Sequence, residues 1–567
     1  MNILTVRTDT VRPAISRDRV HPVLVFALIF VFIFLLHFQL LRLPYFWDEA
    51  GYYVPAARDL LLTGSLIPHS TPSNAHPPLV MAYLALFWRL AGYSPLVTRS
   101  AMLLVAALAL LGLFRLAQRV ANAQIAVAST ICTAIYPVFF VQSSLAQVDL
   151  AAAGLTFWGL GAYLEDRRLA TAVWFSLAAL AKETAILAPL TLFLWEVCCP
   201  LVVTGKQADS GCLFQRSGWK CTFLLSALIP LAVWYAYHAL ATGYVFGNPE
   251  FFRYNVQSTL NPLRILLALG LRLWQTFGYL HLYFLTIAVV LAMWRPPLQD
   301  RNGERQRIQL PVQLIFLIVI VAYVVAMSVL GGAVLARYML PAVPLVIVVG
   351  MSTLWRRVRY WKEVVMIIVL AFAAALFINP PYGFSIEDNL AYRDYIVLHE
   401  SAETVLEARH PMARVLTAWP ASDELARPYL GYVTRPMRVL RIEDFTIEQL
   451  MSAAEVKSQF DVALVFSTKY EPPQAFFERW KAWERLKTRF FGFHRDMSPA
   501  AAAQVLGGHI VFSASRSGQW VAVIEMERVE EAGLPAIKSH NAALPRSPRH
   551  QMARMRFHYE PDFLAWR

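Results

Sequence analysis

Two adjacent carboxylates, Asp48 and Glu49, stand just past a long apolar run and open the polar stretch YFWDEAGYYVPAARDLLLTGSLIPHSTPSNAHPPL, Tyr45 to Leu79. Acids at a membrane exit cost free energy unless something pairs or uses them. A carboxylate placed there can act as a general base that takes the proton of an attacking hydroxyl. The same pair could simply cap a helix over about 49–63, where negative charge suits the dipole. A third acid, Asp149, closes the polar break that holds Gln142, Ser143, Ser144 and Gln147. It reads either as a helix start or as a second acid at the same face, suited to contact an acceptor or a metal.

His76 precedes Pro77-Pro78-Leu79. Two prolines impose an extended approach and then let a helix begin. His76 suits an anionic phosphate or a metal, and equally a structural place in the loop. The cations predicted at this face are Arg58, Arg99, Lys182, Arg253, Arg264, Arg272 and Arg337. A phosphate leaving group needs such cations, or a metal, to carry its developing charge. Each cation could instead pair with a nearby acid, Lys182 with its neighbour Glu183 first among them.

These residues must be positioned by membrane-spanning elements. Of the 567 residues 57% are hydrophobic, more than a water-soluble chain of this length carries. The run His21–Leu41 is too long for a signal-peptide core and reads as a retained first span, with Arg7, Arg12, Arg17 and Arg19 holding the N-terminus in the cytoplasm. Pro77–Leu90, interrupted by Arg89, is too short to cross and belongs at the membrane surface. Further spans are expected at about Arg99–Leu116, Ala121–Val141 and Leu150–Leu164, then as two short helices, 169–181 and 184–197, and then near 221–241, 278–294, 310–330, 337–354 and 363–379. The stretch 263–276 sets Arg264, Arg272 and Gln275 on one helix face and reads as an interfacial helix on the outer surface, or as a plain extension of the next span. Splitting the chain at Lys182-Glu183 puts the Arg295–Arg307 and Arg356–Lys362 clusters in the cytoplasm, so the positive-inside rule favours about eleven spans and an external C-terminal region. The net charge of +13 belongs to those loops and is no sign of nucleic-acid binding.

From Glu387 the periods change. Short β-rich runs at 414–417, 437–441, 462–467, 509–513 and 520–525 alternate with helical stretches 386–409, 446–458 and 473–488, which argues for an α/β domain. That domain holds no GxGxxG, P-loop or GxSxG motif, so a binding, capping or scaffolding part is expected of it. The expected organisation is a cytoplasmic segment 1–20, a membrane domain 21–380 with its first outer loop at 42–98, an extramembrane α/β domain 381–535 and a basic tail 536–567. Of five cysteines, Cys132 lies in an apolar run, while Cys198, Cys199, Cys212 and Cys221 flank one polar loop without zinc-ligand spacing.

WDEAGYY (47–53) after the first span, AHPPLVMAYLALFWRLAGY (75–93), Thr98-Arg99-Ser100, Asp149, AKETAIL (181–187) and ARYMLPAVPLV (336–346) together resemble the GT-C superfamily of polyprenyl-phosphate-sugar glycosyltransferases, in particular the protein O-mannosyltransferases and lipid A aminoarabinose transferases. The resemblance covers about residues 20–380. It implies a GT-C-like membrane fold, Asp48 as catalytic base with Glu49 beside it, Asp149 assisting at the acceptor or metal, and Arg337 near the site. For the donor phosphate it leaves His76, Arg58, Arg99, Lys182 and Arg337 as candidates. His76 stands where aminoarabinose transferases usually have lysine, as in the mannosyltransferases, and Gly51, Tyr52 and Tyr53 stand where an arginine often follows the acidic pair. The C-terminal α/β region is also not the β-trefoil insert of eukaryotic mannosyltransferases, which points to a bacterial member.

The expectation is therefore a multi-pass enzyme of the bacterial inner membrane that moves a sugar from a polyprenyl-phosphate donor to a hydroxyl of a lipid, glycan or protein at the outer face. It has no certain cofactor, with room for a divalent metal ion, and its partners are donor, acceptor and membrane lipids, without nucleic acid. A polyprenyl-lipid transporter or flippase, or an assembly scaffold, is the alternative. Transporters place their charges near the bilayer midplane within repeated halves, whereas these acids sit at a membrane edge and no repeat is visible.

Overall fold

A computed structural model describes residues 21–202, 218–247, 249, 252–253, 256–300, 303–470, 472 and 480–527. The N-terminal arginines, Cys212, Phe251, Tyr254, the start of the expected 473–488 helix and the basic tail lie outside the described residues.

Helix α1 (Pro22–His37) is apolar on every side and mostly unpacked, as a lipid-facing span is. The polar stretch after it folds into a turn of π-helix over Glu49–Tyr53, then α2 (Val54–Thr63) and α3 (Leu79–Ala91), which starts directly after Pro77-Pro78. Helix α4 (Pro95–Val120) begins with Ser94 accepting the Val97 N–H and Pro95 in the first turn, a strong start signal. Helices α5 (Ala123–Ile135) and α6 (Pro137–Gln142) occupy the stretch expected as one span over 121–141. Pro137 cannot donate to the helical ladder, and the chain turns at Tyr136. Helix α7 (Asp149–Leu164) follows, then α8 (Arg168–Ala181) and α9 (Leu187–Val202), parted at an extended Lys182 as expected. The remaining helices of the helical part are α10 (Leu228–Thr242), α11 (Pro262–Phe277), α12 (Leu282–Met293), α13 (Leu310–Val329), α14 (Val343–Arg357) and α15 (Trp361–Phe377).

Among the described residues five helical stretches are long and apolar enough to cross a membrane: Pro22–Leu40, Pro95–Val120, Cys221–Thr242, Pro262–Met293 and Leu310–Val329. The fourth of these bends at Leu280 and His281, whose φ angles are positive, so α11 and α12 are separate rods. The polar face of α11 does not lie on the outside. Arg264 and Arg272 are buried and donate to Gly331, Gly332, Met327 and Leu335 carbonyls, and Gln275 donates to Val334. These bonds hold the C-terminal end of α13 and the loop after it, where orphan carbonyls need donors. That loop leads into a short turn, Ala336–Met339, so Arg337 stands ahead of α14 rather than inside a span; Pro341 and Pro344 explain why the helix cannot start earlier.

The C-terminal part is α/β, with α16 (Ala391–Arg409), β1 (Arg414–Ala418), α17 (Ala421–Ala426), β2 (Arg438–Ile442), α18 (Ile447–Glu455), β3 (Val462–Phe466), α19 (Lys481–Phe491), α20 (Pro499–Leu506), β4 (Gly508–Arg516) and β5 (Gln519–Met526). The sheet order is β2-β1-β3-β5-β4, with β2, β1 and β3 parallel and β5 antiparallel to both its neighbours. β3 is buried along its whole length, as a central strand must be. The β4–β5 turn uses Ser517 and Gly518, both at positive φ, the backbone that a two-residue hairpin requires. This sheet does not form a core of its own: its buried residues run without a break into those of the first loop, α2 and α3.

One buried knot ties the first loop to the helices. Glu49 is fully buried and accepts from the Phe46 and Ala146 backbone N–H groups at 2.9 and 2.5 Å. Arg99, also fully buried, meets both Glu49 oxygens at 3.3 Å and donates to the Leu43, Pro44 and Ser144 carbonyls. Glu49→Ala strands a buried guanidinium, so the variant is expected to lose about 3–5 kcal/mol of stability. Thermal unfolding in detergent reads this, and a melting temperature equal to wild type would contradict it.

Candidate active site

Asp48 follows Trp47, whose backbone has a φ of +47°, and precedes the π-helical turn. Strained residues and π-turns persist where the surroundings hold them, often at functional sites. Asp48 makes no capping hydrogen bond. Its carboxylate meets Arg337 Nη2 at 2.5 Å instead. Asp149 opens α7, and its oxygens likewise leave the backbone: Oδ1 meets Lys182 Nζ at 2.5 Å and Oδ2 lies 3.3 Å from Arg337 Nε. Capping is therefore not what either acid does in this fold.

Arg337 is the hub. Beyond Asp48 and Asp149, its Nη1 donates at 2.6 Å to both Gln147 Oε1 and Glu387 Oε2. Lys182 lies over the Tyr338 ring, 4.0 Å from its centroid, and bonds Asp149 rather than its neighbour Glu183. Glu183 instead takes His76 Nδ1 at 2.8 Å, and His76 stacks on Tyr53. A cavity of about 940 Å³ opens over this constellation, lined by Asp48, His76, Lys182, Glu183, Arg337 and Glu387 together with aromatic and aliphatic side chains. Trp47 and Trp419 form one wall. Gly51 allows it: a Cβ there would sit 2.7 Å from the Trp419 ring. Phe246 and Phe252 also line the cavity.

The structure thus brings Asp48, His76, Lys182 and Arg337 to one cavity, with Asp149 directly behind them. It does not bring Glu49, Arg99 or Arg58 there. Glu49 and Arg99 close on each other inside the protein. Arg58 lies over the Tyr429 ring at 4.4 Å. Arg264 and Arg272 bond the 327–335 backbone, and Arg253 is exposed and does not line the cavity. Sequence reasoning missed Glu387, and left Gln147 as part of a polar break. The signal for Glu387 was present: Glu387-Asp388 follows the last apolar helix much as Asp48-Glu49 follows the first.

Asp48, Asp149, Glu183 and Glu387 outnumber Lys182 and Arg337, with His76 able to add one positive charge. Burial pushes the Glu387 carboxyl up to about 7, and the charges of Asp48 and Asp149 add to this while Arg337 opposes it. Next to it, Asp388 accepts from the Tyr279 hydroxyl, and burial with Glu387 pushes it up to about 8.

Residues 75–235 match the family model described as dolichyl-phosphate-mannose-protein mannosyltransferase. No curated protein matches the chain. Among solved structures, ArnT from Cupriavidus metallidurans in the apo state superimposes with a TM-score of 0.50 at 14% identity, covering 88% of this chain and 97% of that one. The same protein bound to undecaprenyl phosphate gives a TM-score of 0.52 at 13% identity, covering 91% and 99%. The resemblance to GT-C glycosyltransferases read from the sequence is borne out: the fold is theirs, and the matched family is one of glycosyltransferases.

A raised Glu387 binds a proton more tightly in the folded than in the unfolded chain. Its stabilising contribution is complete below the ordinary glutamate pKa and is lost as pH rises through about 7. The melting temperature in detergent should therefore fall between pH 5 and pH 7.5, and fall less in Glu387→Gln. An equal slope in both proteins would remove Glu387 as a source of it.

Proposed function

We propose that the cavity transfers a sugar from a polyprenyl-phosphate donor to a hydroxyl acceptor on a lipid, glycan or protein, with inversion at the anomeric carbon and Asp48 as general base. The observation that carries this is the unequal burial of three acids around one guanidinium. The Asp48 side chain is 20% exposed, whereas those of Asp149 and Glu387 are 3% and 4% exposed. Asp48 is the carboxylate that a bound hydroxyl can reach.

In the step, the acceptor oxygen attacks the anomeric carbon and its proton passes to Asp48. The bond from that carbon to the phosphate oxygen breaks, and the lipid phosphate leaves with the electron pair. Arg337 and Lys182 face the cavity and carry the charge that develops on it. Asp149 and Glu387 hold those two cations in place, and Glu183 orients His76 beside them. A phosphate that approaches Arg337 competes with Asp48 for the guanidinium, so donor binding frees the carboxylate to accept a proton. The undecaprenyl phosphate bound by ArnT from Cupriavidus metallidurans supports a donor of this class, as does the apolar lining of the cavity.

A divalent ion would require converging donors. The cavity acids are taken up by Arg337, Lys182 and His76, and among the described residues no three of the cavity's acids and histidines converge as a ligand set. No step is routed through a metal. The arginine distribution supports reading this as the outer face of the membrane, and a bacterial inner membrane fits that reading.

The test is transfer in proteoliposomes with a panel of polyprenyl-phosphate sugars and membrane extract as acceptor. Wild type should transfer sugar, and Asp48→Asn should lower the rate on the order of 10²–10⁴-fold at similar thermal stability. Equal rates would remove Asp48 as the base. Donor that crosses the bilayer intact, with no transfer by either protein, would replace the enzyme reading with translocation.

A further inference from the structure

Outside the cavity, the described residues contain another buried polar cluster. His399 and Glu403 lie four residues apart on one face of α16, and Glu424 comes from α17. Their exposures are 1%, 0% and 0%. One ligand atom from each falls within 4.8 Å of the others. His399 Nδ1 stands 2.7 Å from Glu424 Oε2 and 3.8 Å from Glu403 Oε1.

The cluster is under-satisfied. His399 Nε2 is buried without a hydrogen-bond partner, as are the hydroxyls of Tyr395 and Tyr432 nearby, and the Glu403 carboxyl has only the like-charged carboxyl of Glu424 beside it to share a proton with. Among the described residues His399 is the basic side chain that pairs with either glutamate. Two carboxylates sealed from water with one imidazole between them are costly unless a cation or protons neutralise them. The donor set of one imidazole nitrogen and two carboxylates suits a borderline divalent ion, whose fourth tetrahedral position would be left to a water molecule.

We propose that His399, Glu403 and Glu424 bind a divalent transition-metal ion of the zinc class, which clamps α16 to α17. The clamp would act on the cavity from behind. Tyr395 stacks on His399 with ring centroids 3.9 Å apart and meets Trp47 edge-on, and Trp419 stands two residues before α17. An ion here fixes the wall that Trp47 and Trp419 present to the cavity, without touching the transfer chemistry.

The experiment uses the full chain in detergent, incubated with Zn²⁺, freed of loose metal by buffer exchange and measured by elemental analysis. Wild type should retain about one equivalent of zinc per chain, and Glu403→Gln and Glu424→Gln should each lose most of it. Stripping wild type with a chelator should lower its melting temperature, and Zn²⁺ should restore it. This second reading needs no variant, so a variant that fails to fold leaves the test intact. Zinc retained equally by wild type and the Gln variants would assign the metal elsewhere and overturn the proposal. So would a wild-type melting temperature indifferent to both chelator and Zn²⁺, which would leave the cluster neutralised by protons.

Discussion

One guanidinium shared by three carboxylates organises this protein. Arg337 is buried, and Asp48, Asp149 and Glu387 reach it from the first loop, from the start of α7 and from the segment that follows α15. These are distant parts of the chain, and the energy of bringing a guanidinium out of water is recovered only when all arrive with good geometry. Arg337 owes its place to the backbone ahead of it. Arg264 and Arg272 turn inward from α11 and fasten the carbonyls of the 327–335 segment. Lys182 completes the arrangement from the extended break between α8 and α9.

Beside this hub lies a second ion pair with a different part. Glu49 and Arg99 are closed to solvent and committed to backbone groups on two segments, 43–46 and 144–146, which is how a buried pair fixes a loop rather than performs chemistry. Neighbouring acids at 48 and 49 thus point to opposite tasks, one toward the cavity and one into the protein. The C-terminal sheet belongs to the same construction. Its core is continuous with that of the first loop, and Trp419, at the end of β1, supplies part of the cavity wall. The cavity is therefore built jointly by the helical part and the α/β part, which gives the C-terminal region a place in the site without a catalytic motif of its own.

Much of this was legible in the sequence because local signals are strong there. Pro77-Pro78 announces a helix start, Lys182-Glu183 marks a break, and the β-rich runs mark all five strands of the C-terminal sheet, whereas the start of α4 at Ser94-Pro95 lies ahead of the expected Arg99. Asp48, His76, Lys182 and Arg337 could be named as site residues because a charge at a membrane edge is costly unless it is paired or used. What could not be read was pairing over long separations. That Arg99 belongs to Glu49, that Arg58 lies on Tyr429, and that Glu387 returns to Arg337 are results of tertiary packing. Hydrophobic runs also hid the break at Pro137, since composition alone does not separate one span from two short helices. The two readings of α11 stayed open for a related reason: amphipathicity shows that a helix has two faces, not which one the protein covers, and the stretch continues into α12 as the span extension had it.

On the proposed function, Arg337 and Lys182 exchange their carboxylate partners for a lipid phosphate, and the exchange releases Asp48. A structure determined by electron microscopy in lipid nanodiscs, with a polyprenyl phosphate added, tests this most directly. The phosphate oxygens are expected within hydrogen-bond distance of Arg337 and Lys182, with the Asp48 carboxylate moved off Arg337 and turned into the cavity. A phosphate seated elsewhere, with Arg337 still bound to Asp48, Asp149 and Glu387, would contradict it.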